Sequence, residues 1–248
     1  MDTTTTTTTL TKMVAVISIT LAALQVSTSQ ADDTPPAFYP TPSTTAVLIT
    51  DPQNDFMSEK GAAWGLVKDN VTAVKTNENI AKLMKSAKAA NMPLFISPHS
   101  YFDHDKHWHD RGPIQGLMNK NDMFRVKGPT TYASFEDSGA DFYKPLKKYI
   151  LDGKTIISSP HKVYGPDSND LVLQLRKRGI ETVILGGFAA NLCTDSHMRE
   201  LMEQGFNVVV VKDAVGAPGQ EAYDAAVLNY GMIANAVWTT AQAQDFIN

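Results

Sequence analysis

Thr182-Val183-Ile184-Leu185-Gly186-Gly187-Phe188-Ala189-Ala190-Asn191-Leu192-Cys193-Thr194 passes from an apolar run, through paired glycines, into the start of a helix over about 194–204 that ends at Gly205. A run with no polar alternation reads as a strand buried on both faces. The same strand-then-helix unit recurs on either side of it. Upstream, 46–50 is a continuous apolar run stopped by Asp51-Pro52, and 70–90 has helical spacing, with Val71, Val74, Ile80, Leu83, Met84 and Ala87 on one stripe. Strands follow at 94–97, ended by Pro98, and at 155–158, then a helix over about 168–178 with Gly179 at its C-cap. Downstream come a strand at 207–211, a helix over 219–230 and a last strand at 234–238. Alternating strands and helices with short links predict an α/β fold: a three-layer αβα, Rossmann-like arrangement around a mainly parallel sheet.

In such sheets ligands sit beyond the carboxyl ends of the strands. That rule gathers Asp51, His99, Lys162 and Cys193 on one rim. The irregular piece 100–139 is too long for a plain connection and is expected to cover the rim as a lid or to meet another subunit.

The chain carries a formal net charge of −4 and no basic run, which argues against nucleic acid and for a small-molecule partner. At the N-terminus a threonine run, Thr3 to Thr9, precedes Lys12, an apolar stretch from Met13 to Val26 and the small residues up to Ala31. A basic residue, a short apolar core and a small-residue exit predict a signal peptide over 1–31, cleaved to leave a periplasmic or secreted protein with no membrane attachment. A disordered tail, an uncleaved anchor or a true start at Met13 are the alternatives. Residues 32–44, with Pro35, Pro36, Pro40 and Pro42, read as an extended lead-in, and 45–248 as one domain.

Cys193 is the chain's single cysteine, so it forms no internal disulfide and is either an inert buried thiol or a reactive one. Its neighbours favour reactivity. A thiol at a helix N-terminus meets the positive end of the dipole and unpaired N–H groups, which favour the nucleophilic thiolate and can hold an oxyanion. Asp51 can take the thiol proton, and Lys162 can balance the resulting charges.

Val47-Leu48-Ile49-Thr50-Asp51-Pro52-Gln53-Asn54-Asp55-Phe56 resembles the D-x-Q-N-D-F opening of the isochorismatase-like cysteine hydrolases, a superfamily that includes nicotinamidases and N-carbamoylsarcosine amidases. His161-Lys162-Val163-Tyr164, followed by Asp170-Leu171, is similar to the superfamily's lysine segment. Gly187 to Cys193 with Arg199 resembles its G-V-A-T-N-x-C motif, and Lys212-Asp213-Ala214 its D-A turn. The likeness spans 45–238. It implies Asp51 as general base, Lys162 as triad cation and Cys193 as nucleophile. It also implies a cis peptide at Phe188–Ala189 and an oxyanion hole made by the amides of Ala189 and Cys193. The implied activity is hydrolysis of a C–N bond in a small amide, ureido or carbamoyl substrate through a thioester, with no cofactor and with assembly into a homo-oligomer. Vinyl-ether hydrolysis, a binding protein on the same scaffold and a redox-active thiol are the competing readings.

The sequence departs from that pattern at Ala190, Thr194 and His197, which leaves the pocket wall open. Lys127, in Lys127-Gly128-Pro129-Thr130-Thr131-Tyr132-Ala133-Ser134-Phe135, rivals Lys162; the strand at 155–158 intervenes before Cys193 and favours Lys162. His99, Asp103, His104, Asp105, His107 and His109 invite a metal reading. The nicotinamidase D-x-H motif is replaced by His99-Ser100-Tyr101, so no metal is expected and His99 is assigned to the substrate. Phe56, Trp64, Tyr101, Trp108 and Phe188 are the expected aromatic lining.

Overall fold

Thr45–Thr50 is buried at every position because it is the inner strand of the sheet. This strand, β1, pairs in parallel with β2 (Leu94–Ser97) on one side and β4 (Thr182–Phe188) on the other. β3 (Ile156–Ile157) lies outside β2, and β5 (Asn207–Gly216) and β6 (Ala236–Trp238) lie outside β4. The order is β3-β2-β1-β4-β5-β6, parallel throughout. The computed structural model describes residues 38–126 and 132–248, and 38–248 form one compact unit.

The pleat explains the continuous apolar runs. Val47, Ile49, Leu94, Ile96, Ile184, Val209 and Val211 face one side of the sheet, where the helices Trp64–Val74, Thr76–Ala89 and Thr240–Ile247 bury Val71, Ile80, Leu83, Met84 and Ile247. Ala46, Leu48, Phe95, Val183, Leu185, Val208 and Val210 face the other, against Leu171, Leu175, Met198, Leu201 and Tyr230 of Leu171–Lys177, Asp195–Glu203 and Gln220–Ile233. Three layers result, as the sequence predicts. Each fully buried Leu, Ile or Val contributes roughly 1.5–3 kcal/mol, so two covered faces hold β1 and its rim end in place.

Three elements differ from expectation. The helix expected over 70–90 starts earlier and breaks at Lys75, whose φ of 60° is left-handed, while Thr76 donates its hydroxyl to the Val215 carbonyl and sets a new helix direction. β4 does not stop at the glycine pair but continues to Phe188, and β5 runs on to Gly216 across a register shift opposite it. Thr240–Ile247 adds a helix that the sequence reading omits, capped by Thr239 accepting from the Gln242 amide. The segment after β2 folds over the rim: Tyr101 and Val126 exchange backbone bonds with Phe124 and Tyr101, and Tyr101, Met118, Met123 and Phe124 join the core. The expected signal peptide, residues 32–37 of the Pro-rich lead-in and Lys127 lie outside the described residues. Among the described residues no helix is long and apolar enough to cross a membrane.

Gly187 joins the sheet to the rim, with a φ of 124° and no room for a side chain: a Cβ there would lie 2.1 Å from the Thr50 carbonyl oxygen. Gly187→Ala is expected to cost at least about 3 kcal/mol through backbone strain and the displaced strand end, read as a lowered urea midpoint with an unchanged m-value.

Candidate active site

Asp51 is the first residue past β1. It sits in the left-handed region at φ 49°, uncommon outside glycine, and its N–H donates to the Ser97 carbonyl at 3.0 Å. That turn sends the carboxyl under the rim, fully buried. Its Oδ1 lies 2.8 Å from Nε2 of His161, also fully buried. His161 stands just past β3, with its N–H bonded to the Pro98 carbonyl at 2.9 Å and its Nδ1 donating to the Lys162 carbonyl at 2.5 Å.

Cys193 follows β4. The Phe188–Ala189 peptide is cis, and Ala190–Thr194 forms a π-type turn before the helix Asp195–Glu203. Thr50 fastens this turn to β1: its hydroxyl bonds the Phe188 carbonyl at 3.1 Å and the Thr194 hydroxyl at 3.0 Å. A carboxylate oxygen of Asp51, a ring nitrogen of His99 and the sulfur of Cys193 all lie within 4.8 Å of one another. Burial, then the negative charge of Asp51 and a hydrogen bond to it, push the Cys193 thiol well above its ordinary value, while the amides of Ala189 and Cys193 pull it down. The helix start was expected to favour a standing thiolate. Burial and Asp51 outweigh it, so the resting sulfur is a neutral thiol that faces a proton acceptor.

Lys162 does not join this group. Its ammonium lies 2.6 Å from Asp105 Oδ2 and 3.0 Å from the Ser100 carbonyl, above the rings of Phe102, Tyr101 and Trp108. Its expected place beside Asp51 is taken by His161. The two are sequence neighbours whose side chains go to different partners, His161 to Asp51 and Lys162 to Asp105.

His99, expected to contact the substrate, adjoins Asp51 and Cys193. Its ring is fully buried, stacked on Phe124 with centroids 4.4 Å apart, and neither nitrogen has a partner. Burial, then the charges of His161, Lys162 and His197, lower its pKa well below the usual value, so the ring is neutral. Gln53 holds it from behind: Oε1 accepts from the His99 N–H at 2.7 Å, and Nε2 donates to the carbonyls of His99 at 2.6 Å and Ala140 at 2.5 Å. His197, read from sequence only as a departure, donates Nδ1–H to the Cys193 carbonyl at 2.7 Å and accepts from Ser97 Oγ at 2.8 Å. Its four-residue spacing from Cys193, one helical turn, was the available signal.

Phe56 stacks on Phe188 at 5.1 Å and tilts against Phe124 at 5.1 Å, and Trp108 meets Tyr101 edge-on at 5.7 Å. Trp64 packs, half-buried, on the same core cluster. A cavity of 420 Å³ adjoins His99, walled by Phe102, Val126, Phe135, Phe142 and Ile157. His104, His107 and His109 are exposed. Among the described residues the only group of His, Cys, Asp or Glu able to share an ion is Asp51, His99 and Cys193.

A thiol, a buried carboxylate and backbone amides at the switch point of an open parallel sheet define an α/β enzyme site for a small molecule. The isochorismatase domain family model matches residues 45–242, and the chain belongs to that family of hydrolases. The ureidoacrylate amidohydrolase RutB of Enterobacter sp. (strain 638) is 26% identical over 218 residues, covering 86% of this chain and 94% of that protein. The isochorismatase family protein YecD of Escherichia coli O157:H7 is 44% identical over 55 residues, 22% of this chain and 29% of that protein. A cysteine hydrolase from Pseudomonas syringae pv. phaseolicola 1448A shares the fold with a TM-score of 0.69 at 21% identity, covering 87% and 98% of the two chains. Nicotinamidase PncA from Bacillus subtilis does so with a TM-score of 0.57 at 18% identity, covering 79% and 99%.

Gln53→Leu strands three buried backbone groups at His99 and Ala140. An expected loss of about 2–5 kcal/mol in unfolding free energy follows from the cost of unmade buried hydrogen bonds, checked by urea titration.

Proposed function

We propose that the protein is a cysteine-dependent amidohydrolase that cleaves the C–N bond of a small amide, ureido or carbamoyl substrate. One observation carries the reading: the Cys193 sulfur lies within 4.8 Å of the Asp51 carboxylate and is bonded by the amides of Ala189 and Cys193. Asp51 takes the thiol proton as sulfur attacks the carbonyl carbon, and the two amides hold the resulting oxyanion. The C–N bond then breaks, the leaving nitrogen takes the proton from Asp51, and a thioester remains. Water gives a proton to Asp51 as it adds to the thioester; the C–S bond breaks and the sulfur recovers that proton. His99, neutral and unpartnered, is placed to hydrogen-bond the substrate or that water. The names of ureidoacrylate amidohydrolase and nicotinamidase relatives support C–N chemistry.

The test is a panel of small amides and ureido acids assayed for ammonia release, with acyl-enzyme followed by intact mass. Cys193→Ala is expected to abolish turnover and the adduct, and Asp51→Asn to lower the rate by about 10²–10⁴, the usual worth of a general base. Turnover that survives in Cys193→Ala would sink the thioester route.

A further inference from the structure

We propose that His161, doubly protonated, is the cation that balances Asp51, in the place where the family resemblance led us to expect a lysine. The inference rests on the cysteine chemistry above and names a positioning residue for it.

The argument is a count of protons. Nδ1 of His161 faces the Lys162 carbonyl at 2.5 Å, and a carbonyl oxygen only accepts, so Nδ1 carries hydrogen. Nε2 faces Asp51 Oδ1 at 2.8 Å. A neutral ring with its hydrogen on Nδ1 would aim a lone pair at a carboxylate inside the protein, where such repulsion is poorly screened. A hydrogen on both nitrogens removes the clash and makes the ring an imidazolium. The other groups facing His161 do not compete for this role. His197, edge-on with centroids 4.9 Å apart, has its Nδ1–H committed to the Cys193 carbonyl and accepts from Ser97. His99, stacked at 5.1 Å, is neutral, and the Lys162 ammonium is turned to Asp105. No other cation bonds Asp51 among the described residues.

The charge has a use in the reaction. A fully buried carboxylate with no cation beside it gains from taking up a proton, and then it cannot accept the one on Cys193. The imidazolium keeps Asp51 available as a base and, once that proton has moved, faces a site whose negative charge has passed to sulfur.

The probe is iodoacetamide, with alkylation of Cys193 followed by intact mass across pH in wild type, His161→Gln, His161→Lys and Lys162→Met. Glutamine keeps a hydrogen-bonding side chain without the charge. Its alkylation midpoint is expected to move to higher pH by about one unit or more, the usual effect of losing a neighbouring opposite charge. His161→Lys should return the midpoint to that of wild type, and Lys162→Met should leave it unmoved. In the ¹⁵N spectrum of the six histidines, the signals lost in His161→Gln should be those of a ring protonated on both nitrogens at neutral pH. A midpoint unmoved in His161→Gln, a shift in Lys162→Met, or an unprotonated Nε2 in wild type overturns the assignment. The wild-type spectrum decides alone should His161→Gln not fold, with the ring signals identified in His161→Lys. The two readings fail separately. A protein whose alkylation follows His161 but which turns over no amide sinks the amidase reading, and amide turnover that is lost in Cys193→Ala yet equal to wild type in His161→Gln sinks this one.

Discussion

A carboxyl group with no exposure to water must find its partners inside the protein, and Asp51 is such a group, set at the end of β1 where both sheet faces are covered. Much of the rim is arranged around that demand. The left-handed turn at Asp51 brings the carboxyl inward, His161 meets it from beyond β3, and Cys193 meets it from beyond β4. The strand order β3-β2-β1-β4 sets four strand ends in a row, so His161, His99, Asp51 and Cys193 converge without any of them lying near another in sequence. Rigidity comes from backbone-directed bonds: Thr50 to the Phe188 carbonyl, Gln53 to His99 and Ala140, and His197 to the Cys193 carbonyl. Side chains that bond backbone in this way position a reacting group more narrowly than surface ion pairs can.

The thiol shows how competing effects are settled by magnitude. A helix start is worth some tenths to ~1 kcal/mol to a nearby anion in ordinary settings. Complete burial beside a carboxylate opposes ionisation by more than that, and the Cys193 thiol accordingly lies well above its usual value. Reactivity at this site is therefore conditional. In the mechanism proposed above, the sulfur becomes a nucleophile only as its proton passes to Asp51.

The strands and the rim were legible in sequence because burial on both faces writes itself as runs of Val, Ile and Leu, and because ligand sites of open sheets follow the strand ends. That rule gathered Asp51, His99, Lys162 and Cys193, and the fold brings Asp51, His99 and Cys193 within 4.8 Å of one another. The break at Lys75 was not legible, since no glycine or proline marks it and its cause, the Thr76 bond to Val215, lies 139 residues away. The roles of Gln53 and His197 were hidden for the same reason: both act on backbone atoms brought close only by the fold. Lys162 stands apart from the group at Asp51, paired with Asp105, because a motif fixes a residue type near a position and not the partner that the fold brings to it.

That pairing gives Lys162 a different part in the structure. Its carbonyl receives the His161 Nδ1–H, while its ammonium, half-buried, meets the buried carboxylate of Asp105 and the Ser100 carbonyl in the segment that crosses the rim. The backbone that orients the ring beneath Asp51 is thus the backbone whose side chain fastens the cover above it. A buried Asp105 deprived of that ammonium would be an uncompensated charge, so Lys162 helps to hold Asp105 in place. The contact to Asp51 and the contact to Asp105 thus hang on successive residues after β3.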